Sequence, residues 1–153
     1  MSLLTFDEAV QKFGPIVDGK WEREGEFCSV LDIPPEIGKL WNNSATGMPV
    51  THIYMNHEMQ APLLGALQNL LYRGLLDQLY SYDGCYQIRK RRGLSTPSWH
   101  SYALAIDLNA GDNPLGGPSS LSPEFIKAFK DVGFIWGGDW SRPDPMHFQW
   151  ALD

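Results

Sequence analysis

Between Asn56 and Gly74 the chain carries the pattern that most restricts its fold. Leu63, Leu64, Leu67, Leu70 and Leu71 fall at helical spacing, so they share one face of a helix. Asn56 supplies an N-cap before the pattern and Gly74 interrupts or stops it after. A helix with such an apolar face draws its stability from packing, so this one is expected to build much of a core. A second helix is announced by Ser122-Pro123-Glu124, which offers a cap, a proline at the first helical position and an acid in the first turn. Phe125, Ile126 and Phe129 supply its buried side, and Gly133 ends it.

Strand signals lie around these helices. Val50 to Met55 alternates β-branched and aromatic residues with others, Cys85 to Arg89 reads as a short strand, and Phe134 to Trp136 as another. From Ala103 to Asn109 the alternation is clearer: Leu104, Ile106 and Leu108 point one way and Ala103, Ala105, Asp107 and Asn109 the other, which leaves Asp107 on a face cleared by alanines. His147 to Ala151 reads as a last strand, with His147 and Gln149 opposite Phe148 and Trp150. Arg89 to Pro97 and Asp112 to Ser120 are loops, and Gly137-Gly138 is a turn. Phe6 to Asn43 reads as loops around one short helix near Phe6 to Phe13. The predicted organisation is a single domain over residues 1–153, with a loop-rich N-terminal wrap (1–45) and a core (46–153). The fold class is α+β, with helices packed on a small, mainly antiparallel sheet.

At 153 residues the chain is long enough to bury a core and short enough to be one domain. Its hydrophobic fraction of 43% is that of a globular protein. A net charge of -6 without a long basic stripe gives nucleic-acid binding no electrostatic support. No apolar run reaches a membrane span, and Asp7 and Glu8 stand where a secretory signal needs basic and apolar residues, so a protein made in the cytoplasm and not inserted in a membrane is expected, as a monomer. Cys28 and Cys85 stand in no CxxC arrangement and read as buried free thiols.

Three segments concentrate the unusual residues: Ser98-Trp99-His100, Ala105-Ile106-Asp107 and Asp144-Pro145-Met146-His147. Two imidazoles and one carboxylate suit a catalytic zinc, whose fourth position stays open, whereas magnesium and calcium prefer oxygen shells. Asp144, three residues before His147, is placed to act as a general base beside such a metal. By spacing alone the reading stays open, because a lone His or Asp more often makes structural hydrogen bonds. His52 and His57, which flank the first long helix, read as structural, and Trp136, Trp140 and Trp150 could wall a groove but read by default as core.

The segment Ser98-Trp99-His100-Ser101-Tyr102-Ala103-Leu104-Ala105-Ile106-Asp107-Leu108-Asn109 resembles the Ser-x-His-x-x-Gly-x-Ala-x-Asp-x-Asn signature of zinc D-alanyl-D-alanine carboxypeptidases and phage L-alanyl-D-glutamate endolysins. Trp136-Gly137-Gly138-Asp139-Trp140 with Asp144-Pro145-Met146-His147-Phe148 resembles its second half, and the likeness extends to Asp83-Gly84-Cys85-Tyr86 and the arginine-rich loop. The resemblance implies a hedgehog/DD-peptidase fold, one zinc ion held by His100, Asp107 and His147, and Asp144 as the base. It also implies a substrate-binding or carbonyl-polarising arginine, Arg89 or Arg92, with Arg89 favoured, and substrate contacts from Ser98 and Asn109. Two positions depart: Ala103 stands where glycine is common and Gln149 where a glutamate often follows the His-Phe pair.

The expected activity is therefore hydrolysis of peptidoglycan stem peptides. An endolysin-type L-alanyl-D-glutamate endopeptidase, stored in the cytoplasm and released to the cell wall, comes first, and a D-alanyl-D-alanine carboxypeptidase second. From another class, a zinc-bearing cell-wall binding module without catalysis is the alternative, and the presence of Asp144 speaks against it.

Overall fold

The computed structural model describes residues 3–152. In chain order the elements are α1 (Phe6–Phe13), β1 (Ile16–Val17), β2 (Lys20–Trp21), α2 (Glu24–Phe27), β3 (Cys28–Asp32), α3 (Pro35–Gly38), β4 (Asn42–Asn43), β5 (His52–Asn56), α4 (His57–Tyr72), β6 (Ser81–Tyr82), β7 (Ala105–Asp107), α5 (Pro123–Lys130), β8 (Ile135–Trp136) and β9 (His147–Gln149). The strands form small separate sheets: β1 with β2, β3 with β5, β4 with β6, and a three-stranded sheet in the order β7-β9-β8. All pairings are antiparallel except β4 with β6. The architecture is α+β, as the patterning predicts.

The leucine pattern forms α4. The Asn56 side chain accepts from the Glu58 N–H at 3.0 Å, and Met59, Leu63, Ala66, Leu67 and Leu70 are buried, with Leu64 and Leu71 flanking that stripe. At the other end Gly74 takes a φ of 70°, and the Leu75 N–H reaches back to the Leu70 carbonyl at 2.8 Å, closing the helix with a left-handed turn. Helix α5 begins as its sequence predicts: the Ser122 Oγ accepts from the Phe125 N–H at 3.1 Å. It packs between α4 and the three-stranded sheet, with the Asn69 side chain donating to the Ala128 carbonyl at 2.9 Å and the Phe129 and Phe148 rings 4.4 Å apart. The sheet that carries β7 and β9 is thus backed by two helices.

The structure corrects the sequence reading in three places. Residues 6–43 hold more than loops around one helix: β3 pairs with β5 along its whole length, and Ala9, Phe13, Trp21, Cys28 and Trp41 are core residues. The partners are distant in sequence, so no local periodicity announces them. Residues 85–89 are no strand. Gly84, at a φ of 124°, lets the chain leave β7, to which it is joined by Asp107 N–H to Gly84 O at 2.9 Å, and hydrogen-bond instead to the His100 turn, Gln87 N–H to His100 O at 3.0 Å. Finally, the strand expected over 103–109 shrinks to Ala105–Asp107, because Ala103 and Asn109 adopt left-handed backbone with φ of 54° and 51°.

Close packing places a specific demand on Gly137. A methyl group there would lie 2.5 Å from the Asp144 carbonyl oxygen and 3.2 Å from the His147 Cβ. Gly137→Ala is therefore expected to lower stability by about 1–3 kcal/mol in chemical denaturation. Gly111→Ala, where nothing lies within 4 Å, serves as the near-neutral control.

Candidate metal and catalytic site

Antiparallel pairing sets Asp107, the last residue of β7, directly opposite His147, the first of β9. His100 comes from a one-turn helix, Trp99–Tyr102, capped by the Ser98 Oγ, which accepts from the His100 N–H at 3.3 Å. Ala103 closes that turn and aims the chain into β7. Its left-handed φ is one that glycine adopts more readily, since a Cβ costs about 1–2 kcal/mol in that conformation. The turn is anchored to α4 as well, because the Asn56 side chain donates to the Tyr102 carbonyl at 3.2 Å.

One ligating atom from each of His100, Asp107 and His147 lies within 4.8 Å of the others, and all three residues are buried. The His100 Nε2 is 3.2 Å from Asp107 Oδ2, and the His147 Nδ1 is 3.4 Å from Asp107 Oδ1. The two separations run to different oxygens of Asp107, and each is near the ligand–ligand distance of about 3.4 Å that metal bonds of roughly 2.1 Å give. The hydrogen-bond pattern matches too. The Cys85 carbonyl, 2.7 Å from the His100 Nδ1, only accepts, so Nδ1 carries the proton and Nε2 turns a lone pair inward. That Nε2 and the Asp107 Oδ1 are buried without a hydrogen-bond partner. Electron pairs converging in a dry site call for a cation, and a divalent metal that accepts nitrogen ligands fits.

Asp144 joins from the turn before β9, held by its own N–H on the Gly137 carbonyl at 2.9 Å, and its Oδ2 lies 3.9 Å from the His147 Nδ1. Burial raises the pKa of its carboxyl, an effect opposed by the His147 charge and reinforced by the Asp107 charge. Asp107 behaves oppositely: burial pushes its pKa up, but the charges of His100 and His147 facing it outweigh that and leave it lowered. Burial pushes His147 down, and its contacts with Asp107 and Asp144 more than compensate, so its pKa is raised.

These groups open onto a cleft of about 250 Å³ whose lining includes Arg89, Arg92, Ser98, Asp107, Asp144 and His147. Arg89 is half-buried, and its backbone is stitched to the His100 turn: its N–H donates to the Ser101 Oγ at 3.1 Å, and its carbonyl accepts from the Ser98 N–H at 3.0 Å. Arg92 is exposed on the loop. Asn109 does not reach the cleft. Its Oδ1 accepts from the Tyr80 and Ser81 N–H groups at 3.1 and 3.0 Å and its Nδ2 donates to the Gln78 carbonyl at 2.7 Å, so both ends of the amide serve loop architecture. His52 and His57 are exposed, and neither lines the cleft.

Sequence reasoning missed part of the wall. Trp140, treated as core, lines the cleft with its ring 5.3 Å from that of His147, and Arg91 lies over the Trp140 face at 5.6 Å. Arg142 and the apolar Leu94, Leu115 and Met146 also contribute. The arginine-rich loop carried a signal for Arg91, and the tryptophans raised a groove wall as the alternative to core. The Cys85 carbonyl, a backbone atom, carried none.

Residues 91–150 match the Peptidase_M15_4 family model, described as D-alanyl-D-alanine carboxypeptidase. Over this stretch, less than half of the chain, the protein is similar to M15 peptidases. The matched stretch spans His100, Asp107, Asp144 and His147, and begins after Arg89. No curated protein and no solved structure matches the chain.

Two outcomes follow for the M15-like site. Asn109→Ala removes three hydrogen bonds to backbone and puts alanine at a positive φ, so a loss of about 2–4 kcal/mol is expected in thermal or urea unfolding. In metal-free protein the raised pKa of His147 contributes stability that is complete below the ordinary histidine value and disappears as pH rises through the raised one. Melting temperature in chelator should therefore fall from neutral to alkaline pH, and His147→Gln should flatten that slope.

Proposed function

We propose that the chain is a zinc-dependent peptidase of peptidoglycan stem peptides, with His100, Asp107 and His147 as ligands and Asp144 as the general base. The observation that carries this is the convergence of those three buried donors beside a second carboxylate, Asp144, at the floor of an arginine-lined cleft. When bound there, zinc polarises the scissile carbonyl and activates the attacking water. Asp144 takes the proton of that water and returns it to the leaving amine, a task that suits a carboxyl whose pKa burial has raised. The half-buried Arg89, with its backbone fixed to the His100 turn, is the favoured group for steadying the substrate carbonyl or a flanking carboxylate, and Arg92 serves the outer end of the peptide. Ser98 contributes chiefly by holding the His100 turn.

Within this class the first choice is an endopeptidase that opens the L-alanyl-D-glutamate bond. Arg89, Arg91, Arg92 and Arg142 all line the cleft, and a stem peptide extending beyond that bond presents several carboxylates to meet them. The second is a D-alanyl-D-alanine carboxypeptidase, which the description of the matching family favours. No helix among the described residues is long and apolar enough to cross a membrane.

Incubated with purified peptidoglycan, the protein is expected to release new amino termini, to stop in chelator and to recover with zinc. Mass spectrometry separates the two choices: fragments beginning at D-glutamate mark the endopeptidase, free D-alanine the carboxypeptidase. Asp144→Asn should keep zinc and lose roughly 10²–10⁴-fold in kcat, whereas His147→Ala should lose both. Undiminished turnover in either variant would contradict the assigned roles.

A further inference from the structure

We infer that Gln149 is a positioning residue that locks His147 in the Nε2–H tautomer, so that Nδ1 presents its lone pair to Asp107 and Asp144. Three links, each with one possible direction, carry the inference. The Ala151 carbonyl can only accept, and the Gln149 side chain meets it at 2.9 Å, so the amide nitrogen must face Ala151. The amide oxygen is thereby turned toward the His147 Nε2, at 2.8 Å. An amide oxygen also only accepts, so Nε2 must hold the proton, and in the neutral ring Nδ1 is left bare. That bare nitrogen is the one 3.4 Å from Asp107 Oδ1 and 3.9 Å from Asp144 Oδ2.

Burial makes the lock effective. Gln149 is 1% exposed and His147 4%, so bulk water cannot readily replace the amide contact. His100 is held in the complementary manner by the Cys85 carbonyl, with Nδ1 protonated and Nε2 bare. The two rings thus reach Asp107 through different nitrogens, each selected by an acceptor behind the ring. Gln149 therefore takes over the acceptor part that the departure from glutamate would otherwise remove, and does so without placing another buried charge beside Asp107 and Asp144. The consequence for metal affinity rests on the ligand set proposed above; the tautomer itself does not.

The test begins with metal-free, ¹⁵N-labelled wild-type protein at alkaline pH, where long-range ¹H–¹⁵N spectra distinguish the tautomers of a neutral ring. His147 is expected as Nε2–H, and an Nδ1–H signature would overturn the inference without any variant. Gln149→Met preserves side-chain length and removes both polar atoms. It should admit the Nδ1–H form, since Asp107 then offers an acceptor on that side, and should weaken zinc binding about 10–100-fold in competition with a chromophoric chelator. Gln149→Glu keeps an acceptor for Nε2–H but, when ionised, cannot donate to Ala151. It should restore the Nε2–H form and most of the zinc affinity. If Gln149→Met is perturbed and Gln149→Glu fails to recover, the residue acts only as a tether for Ala151 and the inference falls. It falls equally if Gln149→Met keeps the wild-type tautomer. Wild-type protein that shows Nε2–H yet binds no zinc would sink the metal-site reading and leave the tautomer assignment standing.

Discussion

The pairing of β7 with β9 is the constraint on which the site depends. Each strand contributes only three residues, yet their register places Asp107 and His147 face to face. Slipping the pair by one residue would turn one partner's side chains to the opposite face, exchanging His147 and Gln149 for the Phe148 side that packs against Phe125 and Phe129. The aromatic packing on one side of β9 therefore enforces the polar arrangement on the other. Helix α5, capped by Ser122 and packed on α4, holds those aromatics in place.

This division explains what could be read from the residues alone. Leu63, Leu67 and Leu70, the Asn56 and Ser122 caps and the alternation through β9 are local signals, and local physics carries them into the structure. The donor set was legible because Asp107 and His147 both face away from apolar neighbours along their strands, and because two motifs matched one signature. The pairing of β3 with β5 was not legible, since it joins residues separated by α3, β4 and irregular chain. Gly84 and Ala103 were also opaque: a positive φ follows from what the chain must reach, not from an alternating pattern. Trp140 was misread for a related reason, since an aromatic beside a glycine turn looks the same whether it faces a core or a cleft.

Several exceptions to ordinary folding rules lie around the donor set. Ala103 carries left-handed backbone, the His100 Nε2 and Asp107 Oδ1 are buried without hydrogen bonds, Gln149 is buried in a strand, and Gly137 admits no side chain. Each is unfavourable or restrictive for stability alone, and together they share one outcome, the approach of bare nitrogen and oxygen atoms to a common point. Local conflicts that serve a single geometry are what a functional site produces.

Charge completes the argument. The chain carries a net charge of -6, and the floor of the cleft adds Asp107 and Asp144, yet its wall includes Arg89, Arg91, Arg92 and Arg142. Two of these are not free to follow solvent: Arg91 lies over Trp140, and Arg142 donates to the Arg92 carbonyl and rests against Gly93. Fixing guanidinium groups before a ligand arrives lowers the entropy lost on binding, and walls of low dielectric strengthen their field. An acidic chain thus gathers guanidinium groups at one cleft, where Asp107 and Asp144 are the carboxylates among the lining residues.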